Sequence, residues 1–172
     1  MRGAEGDAFA GFVRARYGSL LRFAYLLTAD RGHAEDLVQD GLARTYGAWS
    51  RLREPAAADA YTRTTLVRLA LRARRRRWRG ETPTPVLPEQ PADGGDPDLA
   101  ESVRAALAAL PADQRAVLVL RYYDDRTERE IAALLDCSPG TVKSRAARGL
   151  AALREAGLLD GVLEGDRRDR GA

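Results

Sequence analysis

The chain has 172 residues, of which 45% are hydrophobic, 31% are charged and only 6% are aromatic. This length allows one domain or two small ones, and the composition favours small helical units over a large sheet. The 28 Lys and Arg residues nearly balance the 25 Asp and Glu residues, so the placement of charge matters more than its sum. The single Cys137 excludes an internal disulfide, and no stretch has the pattern of a membrane span or a secretory signal. We therefore expect a cytoplasmic protein without membrane insertion.

Two amphipathic helices are predicted in the amino-terminal part of the chain. Apolar residues recur at helical intervals across residues 12–27, after polar residues 1–7 that we expect to be frayed. A break at residues 30–32 separates this helix from a second one over about residues 33–52. The face of the second helix predicted to enter a core comprises Ala34, Leu37, Val38, Gly41, Leu42, Thr45 and Trp49.

The opposite face of the second helix carries acidic residues first and small residues further along the chain. Its residues, with Gln39 at the margin, are Asp36, Gln39, Asp40, Ala43 and Gly47. Small residues there would let another helix approach closely, although periodicity alone favours an ordinary solvated face. His33 has no second His near it, so we interpret it as a polar residue at a helix start rather than a ligand or base.

A third helix is predicted over about residues 59–78, with a dense run of arginines in its second half. Seven of the twelve residues from Arg68 to Arg79 are arginines. The face that carries part of this run comprises Tyr61, Thr64, Thr65, Arg68, Arg72, Arg75 and Arg79. Counterion release on a nucleic acid is a physical use for such a run, and Tyr61 and Trp78 could stack on unpaired bases. The alternative is a basic surface that serves solubility or localisation.

Residues 80–98 hold most of the chain's eight prolines and read as a linker. Two further helices are predicted after the linker, and the second of them begins at Pro111. The apolar side of this second helix is predicted to be Ala116, Val117, Leu120 and Tyr123. The segment after Gly157 is charged and rich in glycine, so we expect it to be disordered.

Two short helices joined by a tight turn are predicted between Thr127 and Glu155. Thr127 and Glu130 have the spacing of a capping box, and Ser138 can cap the next helix, whose first turn suits Pro139. On a helical wheel, one arc of the second helix carries residues that would pack inward, namely Val142, Ala146, Gly149, Leu150 and Leu153. The opposite arc carries hydroxyl and guanidinium donors, namely Thr141, Ser144, Arg145 and Arg148.

This arrangement is typical of a helix-turn-helix, which presents the amino-terminal end of its second helix to base edges in the major groove. Lys143 lies to the side of that helix, where we expect a phosphate contact. An ordinary antiparallel helix pair with a solvated surface is the alternative. The sequence contains no GxxxxGK, GxSxG, HExxH or CxxC motif, so no catalytic residue, metal site or cofactor is predicted.

These stretches together resemble a bacterial extracytoplasmic-function sigma factor of the sigma-70 family (group IV). Residues 34–49 look like the family's core-polymerase-binding helix, residues 66–81 like its promoter-melting helix, and residues 110–154 like its fourth conserved region. The last stretch is the most specific, although its helix-turn-helix alone is shared with response-regulator effector domains. The resemblance covers about residues 8–156.

The resemblance implies an all-α protein that is not an enzyme and that directs RNA polymerase core to promoters. Its domains would be region 2 over residues 8–79, a linker over 80–98, region 4 over 99–156 and a disordered tail over 157–172. The core would be contacted at the beta-prime clamp helices and the beta flap, and an anti-sigma factor is left open as a further partner. The residues implied to meet the clamp helices are Asp36, Gln39, Asp40 and Ala43.

The same resemblance assigns the Tyr61–Arg79 helix to the minus-ten element and its opened strand. It assigns the reading of the minus-thirty-five element to Thr141, Lys143, Ser144, Arg145 and Arg148. The family often has Asn where this chain has Arg68, so base preference at the minus-ten element is not implied. Two other classes compete: a two-domain regulator whose first half senses a ligand or phosphate, and an enzyme acting on nucleic acid. The first lacks predicted strands and a phosphoacceptor pocket, and the second lacks an acid–base or metal set.

Overall fold

The computed structural model describes residues 2–52, 54–77 and 97–157, and every regular element in these ranges is helical. Side chains are described there except at residues 2–4, 75–77 and 97–100. The helices are α1 (Arg2–Thr28), α2 (Arg31–Ala48), α3 (Pro55–Arg77), α4 (Pro97–Ala109), α5 (Ala112–Leu118), α6 (Glu128–Leu135) and α7 (Pro139–Glu155). A 3-10 turn (Trp49–Arg51) follows α2, and a π-helical segment (Val119–Tyr123) follows α5.

The chain divides into two compact helical units, residues 1–88 and 89–172. The prediction of an all-α fold with two small helical domains is confirmed for the described ranges. The predicted linker lies outside them except for its last two residues, and the predicted tail lies outside them after Gly157.

In the first unit, α1, α2 and α3 pack against one another pairwise. Their fully buried large side chains are Leu20, Phe23, Val38, Thr45, Thr62, Leu66 and Val67. The inner face predicted for α2 is confirmed except at its end, where Ala48 is buried and Trp49 lies half-buried in the 3-10 turn.

The first helix begins earlier than expected. Residues 2–7, predicted to be frayed, belong to α1. One reason is the ring of Phe9, whose centroid lies 4.9 Å from that of Tyr46 and 5.1 Å from that of Trp49, edge to face with the latter. Such aromatic contacts stabilise the first turns of α1 against the end of α2. The periodicity of the first helix could not predict this early start, because the rings that Phe9 contacts lie at the end of α2.

The approach of α2 to α3 depends on one glycine. A Cβ atom at Gly41 would lie 2.7 Å from Cδ2 of Leu66, closer than side-chain atoms can pack. Gly41 is buried, and Leu66 is fully inaccessible to solvent. The absence of a side chain at Gly41 therefore sets how near the two helices come, and through this the orientation of the outer face of α2.

In the second unit, α5 and α6 each pack against α7. The fully buried large side chains here are Val117, Leu120, Ile131 and Val142. A second close approach occurs at Gly149, where a Cβ atom would lie 2.9 Å from Cδ1 of Leu118. Also in α5, the Arg115 guanidinium donates to the carbonyl of Ala108, 3.2 Å away, at the carboxyl end of α4.

The end of α5 departs from the predicted pattern. Pro111 is the residue before the helix rather than its first, and residues 119–123 form a π turn. A π turn contains more residues than an α turn, so the helical wheel loses its register there. As a result Tyr123, predicted to lie on the apolar side, is 41% exposed, while Val119 is buried. The prediction for Ala116, Val117 and Leu120 is confirmed.

Candidate nucleic-acid interface

The predicted capping box is present at the start of α6. The Thr127 hydroxyl accepts from the backbone N–H of Glu130, and the Glu130 carboxylate accepts from the Thr127 backbone N–H at 2.8 Å. The same carboxylate accepts from the Thr127 hydroxyl at 2.7 Å. These bonds, the backbone N–H first and the hydroxyl second, lower the pKa of Glu130 because both stabilise the charged form.

The turn between α6 and α7 is tight because Asp136 adopts a left-handed conformation with φ of 52° at the end of α6. Ser138 then caps α7 by accepting from the backbone N–H of Thr141 at 3.1 Å, and Pro139 occupies the first turn. Both predicted caps are confirmed. They set the position and direction in which α7 begins, and so which side chains its amino-terminal end presents.

The inner face of α7 consists of Val142, Ala146 and Gly149, all buried as predicted. Leu150 and Leu153, also predicted to face inward, are half-buried. They lie toward the carboxyl end of α7, beyond the close approach to α5.

Three of the predicted reading residues lie together on the outer side of α7. Arg148 is exposed, and its guanidinium donates to the Ser144 hydroxyl at 3.4 Å. Ser144 in turn donates to the backbone carbonyl of Thr141 at 3.1 Å, and both of these residues are half-buried. The Ser144 hydroxyl therefore accepts from an arginine four residues further along the same helix face.

Arg145 does not lie on the outer arc where the helical wheel put it. It lies at the flank of α7 that faces α5, and its Nη2 atom is 3.1 Å from Oδ2 of Asp113. On the other flank, Nζ of Lys143 is 3.6 Å from Oε2 of Glu128, whose Oε1 accepts from Arg121 at 2.9 Å. Asp113 and Glu128 were not predicted as site residues, since pairing between helices leaves no local signal in the sequence.

The predicted nucleic-acid face of α3 is partly described. Arg68 and Arg72 are exposed, Tyr61 is 37% exposed, and Thr64 and Thr65 are half-buried. The Thr65 hydroxyl is occupied by the backbone carbonyl of Tyr61, at 2.8 Å. The side chain of Arg75, together with Trp78 and Arg79, lies outside the described residues. A continuous outward face of hydroxyl, phenol and guanidinium groups is thus present as far as Arg72.

The acidic strip of α2 comprises the residues Asp36, Gln39, Asp40, Ala43 and Gly47. All five are exposed. Among the described residues, neither Asp36 nor Asp40 has a basic group within ion-pair distance, in contrast to Glu35 on the same helix, which pairs with Arg31 at 3.1 Å. The strip therefore presents two uncompensated carboxylates on a helix whose inner face is fixed by the core.

Neither a metal site nor a membrane-spanning helix is found in the part of the chain that the structure describes. No group of three or more His, Cys, Asp or Glu side chains there could hold a metal ion. No helix in those ranges is both long and apolar enough to cross a membrane.

Comparison with known proteins gives matches over both units. Residues 12–80 match the family model for sigma-70 region 2, and residues 100–153 match that for sigma-70 region 4. The chain is 41% identical to the RNA polymerase sigma-E factor of Streptomyces coelicolor, over 94% of this chain and 95% of that protein. It is 34% identical to the ECF RNA polymerase sigma factor SigL of Mycobacterium tuberculosis, over 86% and 89% respectively.

A solved structure gives the same result. The sigma factor RpoE of Bartonella quintana, crystallised with the anti-sigma factor NepR, matches with a TM-score of 0.69 at 29% identity, over 89% of this chain and 98% of that chain. The helix-turn-helix, the arginine-bearing α3 and the acidic α2 thus occur in one chain together with both family regions. The chain belongs to the sigma-70 family of RNA polymerase sigma factors, within its extracytoplasmic-function group.

Proposed function

We propose that this sigma factor binds RNA polymerase core through the acidic strip of α2 and contacts promoter DNA through α3 and α7. The single observation that carries the proposal is the pair of exposed carboxylates of Asp36 and Asp40, which have no ion-pair partner among the described residues. DNA binding alone does not require an acidic surface of this kind. Binding to a basic helix of the polymerase does, because opposite charges make the two surfaces complementary.

The partner of the acidic strip is the clamp-helix pair of the beta-prime subunit. Asp36 and Asp40 lie about one helical turn apart, so both carboxylates can contact one basic helix. Gln39 adds an amide beside them, and Ala43 and Gly47 continue the strip with little bulk. A Cβ atom at Gly47 would have nothing within 4 Å, so the surface there is open to a partner.

The α3 face is assigned to the minus-ten element and its opened strand. Exposed Arg68 and Arg72 supply charge for phosphate, while Tyr61 supplies a ring on which a base can stack. We assign Thr64, Thr65, Arg75 and Arg79 to the same element, because the helical repeat puts them on the same face of the helix.

The helix α7 is assigned to the minus-thirty-five element through Thr141, Lys143, Ser144, Arg145 and Arg148. The two confirmed caps support this, because they fix the amino-terminal end that a helix-turn-helix inserts into the major groove. Arg145 supplies the base contact and Arg148 a phosphate contact. The unit that contains α7 also binds the beta flap.

The domain bounds follow the same assignment: region 2 over residues 8–79, the linker over 80–98, region 4 over 99–156 and the tail over 157–172. The protein works in the cytoplasm, where RNA polymerase is, and has a regulatory rather than an enzymatic role. An anti-sigma protein controls it. Support for this control comes from the related RpoE, which was crystallised with its anti-sigma factor NepR.

The experiment is run-off transcription with purified core polymerase over a genomic promoter library, combined with a core-binding assay. Asp36→Arg with Asp40→Arg should abolish core binding and run-off while leaving helicity intact. The matched control is Glu5→Arg with Asp7→Arg, which makes the same charge change at exposed residues of α1 in the same unit. Core affinity that stays unchanged in the α2 double variant would contradict the assignment of the strip.

A further inference from the structure

The three cations Lys143, Arg145 and Arg148 of α7 differ in the groups that they contact within the protein. Arg145 is paired with Asp113 at 3.1 Å, and these two side chains are only 25% and 30% exposed. Lys143 is 3.6 Å from Glu128 and is 68% exposed, so its pairing is loose. Arg148 has a hydroxyl, not a carboxylate, as its partner. The arginine proposed to read a base is therefore the one most firmly held within the protein.

The Asp113 carboxylate is held in place relative to α7. It lies in the first turn of α5, where the helix dipole favours a negative charge. The two helices approach closely at Gly149 and Leu118. Arg145 can reach DNA only by breaking its ion pair with Asp113.

This geometry makes two kinds of DNA unequal for Arg145. On an unrelated sequence, a phosphate offers Arg145 one charge contact in exchange for its ion pair with Asp113. A guanine edge offers two acceptors in a fixed, bidentate geometry. Release from Asp113 is accordingly more favourable on the correct base than on backbone alone.

We propose that Asp113 is an affinity-setting residue of region 4, which holds Arg145 in the free protein and on non-cognate DNA, so that the cognate base must displace it. The inference rests on the proposed role of α7 in reading the minus-thirty-five element. Asp113 acts through Arg145 and is a positioning residue that does not itself contact the DNA.

The test measures how the full chain, assembled with core polymerase, binds two duplexes. One duplex carries the minus-thirty-five element selected from a random pool by the wild-type protein, and the other carries the same bases in scrambled order. Asp113→Asn should bind the selected duplex more tightly by up to about fivefold, the range of a surface ion pair, because the contact to the cognate base no longer has to break that pair. The salt-dependence slope on the scrambled duplex should steepen by no more than about 0.9, the value of one phosphate contact by the released guanidinium. The scrambled duplex should gain less affinity than the selected one, so the ratio of the two affinities rises.

Two controls accompany this variant. Asp125→Asn removes the same charge from an exposed acid in the same unit and should affect both duplexes alike. Asp113→Glu keeps the carboxylate and should keep the ratio. Adding Arg145→Ala to Asp113→Asn should remove the gain on the selected duplex, because the released guanidinium is its source.

Asp113→Ala removes the same carboxylate with a residue type that favours a helix, and it replaces Asp113→Asn if that variant fails to fold. We expect the same rise in the affinity ratio, whereas an unchanged ratio would overturn the inference. An unchanged ratio in folded Asp113→Asn would overturn it as well. In that case the wild-type protein still prefers the selected duplex and the proposed function stands. A wild-type protein without that preference would contradict both.

Discussion

The hydroxyl oxygens of Thr45 and Thr62 lie 2.8 Å apart in the buried interface between α2 and α3. Both side chains are fully inaccessible to solvent. Each hydroxyl also lies within hydrogen-bond distance of a carbonyl of its own helix, that of Gly41 at 2.8 Å and that of Ala58 at 2.7 Å. Two hydroxyl hydrogens thus serve three short contacts, and the pair joins the helix of the acidic strip to the helix of the arginine face.

Replacing Thr45 with Val should lower the free energy of unfolding of the first unit by about 1 kcal/mol, the net value of one hydrogen bond. Because the two hydroxyls form one pair, the double change with Thr62→Val should be less harmful than the sum of the single changes. Denaturant titration of the four proteins measures this. Strictly additive effects would mean that the two hydroxyls do not interact.

Gly41→Ala should destabilise the first unit by about 1–3 kcal/mol, because the added methyl group would overlap Leu66. Gly47→Ala on the same helix is the matched control, since nothing lies within 4 Å of its added Cβ atom. That control should be neutral or stabilising by up to about 1 kcal/mol, as Ala favours a helix over Gly. Thermal unfolding of the two variants checks the difference, and equal melting temperatures would show that α2 can move away from α3.

The capping box makes the stability of the second unit dependent on pH. The pKa of Glu130 is lowered in the folded state by its bonds to Thr127, so its contribution is fully present above the unfolded-state pKa. That contribution should be lost as the pH falls from the unfolded value through the lower folded one. Glu130→Gln should remove this part of the acid dependence, which melting curves between neutral and acidic pH would reveal. An NMR titration of the Glu130 carboxyl that gives its ordinary pKa would contradict the prediction.

The exposed arginines of α3 should set part of the salt dependence of promoter binding. Arg68→Ala with Arg72→Ala should reduce the slope of log affinity against log salt by about 0.9 per lost duplex contact, or about 0.7 on a single strand. Arg14→Ala with Arg51→Ala removes the same charge from exposed sites in the same unit and should leave the slope unchanged. If both pairs of variants behave alike, the α3 arginines only keep the surface soluble.

Arg145 and Arg148 should differ in how they affect promoter choice. Arg145→Ala should relax specificity at one position of the minus-thirty-five element, worth about 1–3 kcal/mol for a bidentate contact to guanine. Arg148→Ala should weaken binding to all sequences to a similar degree, as loss of a phosphate contact does. Both are measured against single-base promoter variants at fixed salt. A changed ranking with Arg148→Ala and not with Arg145→Ala would reverse the orientation of α7 in the groove.

Features that depend on neighbouring residues in the chain could be predicted from the sequence. The caps at Thr127 and Ser138 were, because each is formed within three residues. The buried face of α2 and the exposed strip opposite it were also predicted, since a straight helix repeats its contacts regularly.

Features that depend on contacts between helices could not be predicted in this way. The pairing of Arg145 with Asp113 spans 32 positions, and a helical wheel contains no information about the neighbouring helix. The early start of α1 depends on Phe9 meeting rings at the end of α2. Whether the site residues bind as proposed depends on partners outside the chain.

The π-helical segment Val119–Tyr123 limits how the chain length can vary at this point. Its backbone closes with the N–H of Asp124 donating to the carbonyl of Val119 at 3.1 Å, five residues back. Deleting one residue there would convert the π turn to an α turn and rotate the following residues by about 100°. That rotation would carry Arg121 away from Glu128 and shift the start of α6. Substitutions in this segment change single side chains, whereas a one-residue deletion would misalign the whole helix-turn-helix.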